Sequence, residues 1–384
     1  MTAGAWGEAI DRMLGRIQDT AARVKDRFPH WADPETGQWT TTPDGDWTGG
    51  YWLGMLWLAA ATTGDARYRS WAAPLAERLR ARIDAETVFK AFPAYYGLAL
   101  GAILHDAPGP QDIALSTARS LARLYAPALR LVPLGTQAEE GAHIGATETS
   151  IDSLQAATLL FWAAGVTGER TLGEVAANHA ETIIHLHLQP EGSFIQSSSL
   201  DAATGRLIRH YTHKGVSDTS TWGRAQAWGM LFSTQSYLAD RRREAWMAAA
   251  VRGADWWLAH APADRVAFWD FDDPAIPNTE RDTAATAIAT AALLKLSRVA
   301  PTESGQVRYR EAAEATARAL VERYLTPTRP DDRRVPGMLT EACFNKRTDA
   351  RPQDRANRCE FIVGSYYLFE SLLGLAGRID PLRV

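Results

Sequence analysis

Apolar residues recur at helical spacing along almost the whole of this chain, and strand-like alternation is scarce. The periodicity predicts helices near 5–27, 50–64, 66–86, 92–105, 112–126, 150–166, 169–187, 220–239, 241–260, 282–298, 306–325 and 360–376. Four times a nearly all-apolar helix ends in a short turn and a more charged helix follows. The pairs are YWLGMLWLAAATTGDARYRSWAAPLAERL, IDSLQAATLLFWAAGVTGERTLGEVAANHA, WGRAQAWGMLFSTQSYLADRRREAWMAAAV and AATAIATAALLKLSRVAPTESGQVRYREAAEATARAL. A helix apolar all round is buried on both sides, whereas one with an Arg/Glu face lies outside. The short turns make each pair an antiparallel hairpin.

The connections into the next apolar helix are longer and rich in Gly, Pro, Trp and Asp: 28–49, 127–149, 188–219, 261–281 and 326–359. Helical hairpins in series form an open solenoid or a closed ring. Irregular spacing, with every long connection at the same end of its hairpin, favours closure. The expected fold is therefore all-α, an (α/α)6 barrel of six inner and six outer helices forming one domain over 1–384. Its mouth, where the long loops gather, is where a pocket is expected. A solenoid that binds proteins is the competing reading, but its loops would not need so many Trp, Asp and His.

Composition narrows the function. With 41 Lys+Arg against 45 Asp+Glu, the net charge of −4 does not favour nucleic acid or an anionic membrane. No apolar run approaches the ~20 residues of a membrane helix. The N-terminal MTAGAWGEAIDRMLGRIQ is too charged for a signal peptide, so a cytoplasmic protein is expected. Cys343 and Cys359, the only two cysteines, make neither a disulfide framework nor a zinc signature. No nucleotide-binding or nucleophile-elbow motif is present.

Candidate chemistry sits at the entrances of the inner helices. In DWTGGYWLGMLW, Gly49-Gly50 permits close chain approach, and Trp47 and Trp52 either stack on a sugar face or pack. Trp57 stands about 140° around the helix from Trp52 and is expected in the core. Asp152 lies between Ile151 and Leu154, so its carboxyl should be partly buried, with a raised pKa and the capacity of a general acid. Helix N-capping is its alternative role. His210, His213, Lys214, Arg224 and Gln226 fall in one connection and the helix it enters, with Arg224 and Trp228 on one helical face. Arg224 suits an anionic or hydroxylated ligand, or an ion pair with a neighbouring carboxylate. Asp270, Asp272 and Asp273 lack the calcium-loop spacing and read as loop anchors, with Arg281 or Asp282 as partner. His179, His185 and His187 are too scattered in angle to share a metal.

The strings WTGGYWLGMLWLA, IDSL, DAATGRLIRHYTHKGVSDTSTWGRAQAWG, WDFDDPAIPNTERDTAATAIA and GSYYLFESLLGL occur in an order that resembles the unsaturated glucuronyl hydrolases of glycoside hydrolase family 88, over roughly 45–375. The resemblance implies an (α/α)6 barrel acting on oligosaccharides left by polysaccharide lyases. It also implies hydration of a vinyl ether by an aspartate, without metal or cofactor. It places the acid/base on Asp152, the binding pair on Arg224 and Trp228, and the entrance tryptophan on Trp52. Three positions depart from the family. Its second aspartate, in a His-Asp pair, would fall on Val88 and Phe89; a pocket histidine falls near Gln196, and a pocket glutamine near Lys214. Lys214 can supply charge for a carboxylate, and His143 or His213 can replace the lost proton carrier. Against an uronyl hydrolase stand a lyase or hydro-lyase on a uronate-containing glycoside, an epimerase of the acylglucosamine type, and a glycan binder without catalysis.

Overall fold

The computed structural model describes residues 6–139, 147–347 and 355–384. In chain order, α1 (Gly7–Val24) leads through β1 (Phe28–Ala32) and β2 (Trp39–Thr42) to α2 (Gly49–Thr63) and α3 (Ala66–Arg78). A π-helical segment, Pro93–Ala99, runs into α4 (Leu100–His105), and α5 (Pro108–Ala122) follows. β3 (Glu148–Ser150) and a 3-10 turn (Ile151–Leu154) lead into α6 (Gln155–Thr167) and α7 (Arg170–His187). Then come β4 (Ser197–Leu200), β5 (Leu207–Tyr211), α8 (Gly223–Ala239), α9 (Glu244–His260), α10 (Thr283–Val299), α11 (Glu303–Arg323), β6 (Glu360–Phe361) and α12 (Ile362–Leu375).

α2 packs on the π-helical segment and α4, the π-helical segment on α6, then α6 on α8, α8 on α10 and α10 on α12, and α12 packs back on α2, which closes the inner ring. The odd-numbered helices form the outer layer, so the (α/α)6 barrel expected from the apolar pattern is the fold. Local chemistry sets the hairpins. Gly64 and Gly168 end α2 and α6 in the left-handed conformation, where a side chain would be strained. Asp65 then caps α3 by accepting from the Arg67 amide. Gly50 matters differently, because a Cβ there would meet Pro93 Cα at 2.4 Å. That absence lets α2 press against the π-helical segment.

Two features were not anticipated. The helix expected over 66–86 gives way at Leu79 to a 3-10 turn ending at Arg82, and the one expected over 92–105 begins as the π-helical segment. Among the described residues, six short strands also form two antiparallel three-stranded sheets, ordered β2-β1-β6 and β3-β4-β5. Each sheet joins long connections that are distant in sequence. Buried Arg16 on α1 reinforces the first by pairing with Glu360 at 2.7 Å and donating to the Gly37 carbonyl. The sheets therefore draw the long loops together over one end of the ring.

Candidate active site

Asp152 stands where the second sheet meets the inner ring. β3 delivers the chain to Ser150, and the Ile151 amide donates to the Gln196 carbonyl at 2.8 Å, which fixes the start of the 3-10 turn. Ser153 Oγ donates back to the Ser150 carbonyl at 2.6 Å. His179 on α7 secures the turn from outside: its Nε2 meets the Ser153 carbonyl at 2.8 Å, and its Nδ1 accepts from the Val132 amide at 3.1 Å. Burial drives the His179 pKa down to about 4, so the ring stays neutral and Nε2 carries the donated proton. The sequence had marked His179 as an ordinary histidine; its work is to position the turn that carries Asp152.

Asp152 keeps a partly exposed surface, but its carboxyl is enclosed by protein and Oδ2 has no hydrogen-bond partner. Burial pushes its pKa up to about 6, against the opposing pull of its own backbone amide, the Arg224 charge, Ser150 and Gln196. No side-chain N-cap bond is made at the 3-10 turn or at α6, so the capping alternative is not what occupies this carboxylate. A carboxyl in this condition can hold a proton near neutrality and release it to a bound acceptor.

Gln196 links Asp152 to the next connection. Its Oε1 accepts from the Lys214 amide at 2.9 Å, and its Nε2 lies 3.4 Å from His213 Nε2. His213 Nδ1 meets Ser197 Oγ at 2.8 Å. The Lys214 ammonium lies over the rings of Phe344 and Trp222, at 5.3 and 5.9 Å. The structure thus brings Gln196, His213 and Lys214 together with Asp152, whereas His143 lies outside the described residues.

Arg224 is fully buried and heavily committed. It pairs with Asp282 at 2.6 Å, donates to the Cys343 carbonyl at 2.6 Å and to the Phe344 carbonyl, and lies 4.4 Å over the Trp222 ring. Of the two roles read from sequence, the ion pair is the one seen. Asp282 in turn caps α10 by accepting from the Ala284 and Ala285 amides. The guanidinium therefore clamps α8, α10 and the 343–344 segment while lending its charge to Asp152. Asp270, Asp272 and Asp273 do anchor loops, but through Ser220, Thr221, Trp269 and Thr279 rather than Arg281 or Asp282. Arg281 instead pairs with Asp264 at 2.9 Å. Among the described residues no cluster has the makings of a metal site.

The tryptophans divide. Trp47 is half-buried, with edge contacts to Phe92 at 5.4 Å and Phe361 at 6.0 Å, and keeps an accessible face. Trp52 is 1% exposed, so it offers no stacking face at the mouth. Early in α2, where Gly50 allows close packing, its indole goes into the core. Trp57 is core, as expected, and donates to the Gly97 carbonyl at 2.8 Å. Trp228 is also buried, stacked on Phe232 at 5.0 Å with an interplanar angle of 8°.

Val88 and Phe89, where the second aspartate would fall, supply no carboxylate. Val88 is buried in a 3-10 turn and Phe89 is half-exposed. Phe92, 2% exposed, packs into the aromatic core within 5.4–6.1 Å of Trp47, Tyr51, Trp228 and Phe232. A 3-10 turn over Val88–Lys90 precedes the π-helical segment, which stands where a continuous helix was expected from 92. His30 on β1 was missed altogether. Its Nδ1 meets Thr48 Oγ1 at 2.8 Å, its ring packs edge-on to Phe344, and burial beside Lys214 lowers its pKa to about 3. A lone histidine in a loop carries no sequence signal that would have singled it out.

A closed helical barrel whose mouth holds one protonatable carboxyl, flanked by cations and aromatic rings, defines a sugar-active enzyme of the glycoside hydrolase kind. No family model matches the chain. It is 31% identical to the unsaturated glucuronyl hydrolase of Bacillus sp. (strain GL1), covering 96% of each chain. It is 25% identical to the unsaturated chondroitin disaccharide hydrolase of Streptococcus pyogenes, covering 95% of this chain and 90% of that one. The crystal structure of the Bacillus sp. GL1 unsaturated glucuronyl hydrolase superposes with a TM-score of 0.87 at 28% identity over 96% of both chains. The chain belongs to the unsaturated glucuronyl hydrolase family.

Proposed function

We propose that this protein releases a 4,5-unsaturated uronic acid from the end of an oligosaccharide by hydrating its C4–C5 double bond, with Asp152 as acid and then base. The observation that carries the reading is a dry carboxyl, held near pKa 6, at the mouth of this family's barrel. Asp152 gives its proton to C4, and the cation at C5 is stabilised by the ring oxygen. Water adds at C5 and returns a proton to the Asp152 carboxylate. The hemiketal opens to a C5 ketone and a C1 hemiacetal, which expels the neighbouring sugar and leaves an aldehyde.

Lys214 takes the substrate carboxylate, with the Arg224 charge behind it. Trp47 gives an apolar face to the sugar, while Gln196 and His213 orient Asp152 and the sugar hydroxyls. Buried Trp228 backs the pocket through its ring stack. The names of the relatives, which act on unsaturated uronyl compounds, support this substrate class. A cytoplasmic setting belongs to the same reading and fits the two free thiols; among the described residues no helix is long and apolar enough to cross a membrane. The test is to mix purified protein with unsaturated uronyl disaccharides and follow the ultraviolet absorbance of the conjugated enol acid. Loss of absorbance is expected. A rise in absorbance with a saturated uronide would indicate elimination instead, and silence with both would favour an epimerase or a glycan binder.

A further inference from the structure

His30 has no part in the chemistry described so far, yet its placement is closely fixed. β1 pairs with β2 through Pro29↔Thr41 and Trp31↔Thr40, so His30 is the extra residue of a β-bulge. A bulge breaks the alternation of a strand and re-aims the side chain it carries. Here the ring packs edge-on against Phe344 at 4.9 Å and Phe361 at 5.7 Å. Phe344 is the ring over which the Lys214 ammonium lies at 5.3 Å, and Arg224 fastens it by donating to its carbonyl. His30 and Lys214 therefore flank one anchored ring, and the Lys214 charge acts on the imidazole.

Proton accounting sets the tautomer. The Thr48 hydroxyl is fully buried, and its hydrogen-bond partner among the described residues is His30 Nδ1, at 2.8 Å. Nδ1 is thus the acceptor available to the hydroxyl proton, and Thr48 donates. A neutral imidazole that accepts at Nδ1 carries its own proton on Nε2. Burial, with the Lys214 charge second, lowers the His30 pKa to about 3, so the ring is neutral at any working pH. Nε2 has no partner among the described residues and is not enclosed, for the ring keeps a 6% exposed edge. An N–H donor and an ammonium on the same aromatic ring can take one oxygen each of a planar carboxylate.

We infer that His30 donates from Nε2 to the uronate carboxylate of the substrate, beside Lys214, and that the Thr48 hydroxyl keeps the ring in the tautomer this requires. The inference rests on the function proposed above, in which Lys214 takes that carboxylate. The test compares wild type with His30→Phe, which keeps the aromatic packing and removes the donor. Both are assayed on an unsaturated uronyl disaccharide and on its methyl ester. With the free acid, KM should rise about tenfold and kcat stay within a fewfold, as for the loss of one hydrogen bond to a charged group. With the ester, the same substitution should change KM by less than about twofold. An unchanged KM for the acid, or an equal rise for acid and ester, would overturn the inference and leave the proposed function standing. Failure of wild type to turn over either compound would overturn both. A 15N spectrum of histidine-labelled wild-type protein decides even if His30→Phe does not fold. His30 should carry its proton on Nε2 throughout neutral pH, and a proton on Nδ1 instead would overturn the inference.

Discussion

Replacing Asp152 by Asn tests the dry carboxyl through stability, independently of any substrate. Folding raises the Asp152 pKa from 3.8 to about 6, so the folded state holds its proton over a pH range in which the unfolded chain has lost it. The folded state therefore binds more protons there, and stability falls as pH rises through that window, then levels off above about 6. At about 1.4 kcal/mol per pH unit, the full penalty is roughly 3 kcal/mol by neutral pH. Solvent reaching the partly exposed side chain trims it, so about 1.5–3 kcal/mol is the working figure. Asn has nearly the same shape and no charge to desolvate. Asp152→Asn should thus match wild type near pH 4 and exceed it by that amount at pH 7–8, about 2–6 °C in Tm for a chain of this length. Scanning calorimetry of both proteins at matched ionic strength across pH 4–8 reads the difference. A difference that does not grow between pH 4 and 6, or a variant less stable than wild type at pH 8, would refute the buried-carboxyl argument. The variant should also lose about 10³-fold or more of its activity, because the proton donor is gone.

Further outcomes follow from neighbouring contacts. The kcat/KM of wild type should decline as pH rises above about 6, following loss of the Asp152 proton in the free enzyme. A flat profile to pH 8 would place the acid elsewhere. Lys214→Met should raise KM about tenfold while leaving kcat within a fewfold, as expected if this cation holds the substrate carboxylate in ground and transition states alike; an unchanged KM in initial-rate assays would remove it from that role. Arg224→Met strands the buried Asp282 carboxylate and should cost about 3–5 kcal/mol in urea unfolding. A loss under 1 kcal/mol would mean that the pair is not what joins α8 to α10. His179→Leu leaves the Val132 amide and the Ser153 carbonyl without partners, and should cost about 2–4 kcal/mol together with a fall in kcat.

The architecture was legible because its signal is local. The apolar-then-charged helix pairs are read within about thirty residues, and their order implies closure. Asp152 stood out for the same reason, as a lone carboxylate in an apolar segment at a helix start. The parts that escaped depend on distant neighbours. β1 pairs with β6, whose residues lie more than 300 positions on, and strands of two to five residues carry too little alternation to be read. Arg224 could be read as a ligand cation or an ion-pair partner, and only the approach of Asp282 and the 343–344 carbonyls resolves its present bonding. Trp52 was placed at the entrance by its position in the helix, but the side on which its indole packs depends on tertiary structure. The 3-10 turn and π-helical segment before α4 were missed because apolar periodicity over so few residues does not distinguish them from an α-helix.

The most direct measurement of the central claim is a carboxyl-carbon NMR titration of protein carrying 13C-labelled aspartate, with the Asp152 resonance assigned by its disappearance in Asp152→Asn. A midpoint near 6 is expected, well separated from the exposed aspartates. A midpoint near 4 would contradict the account, since such a carboxyl would already be ionised at neutral pH with no proton to give to the sugar.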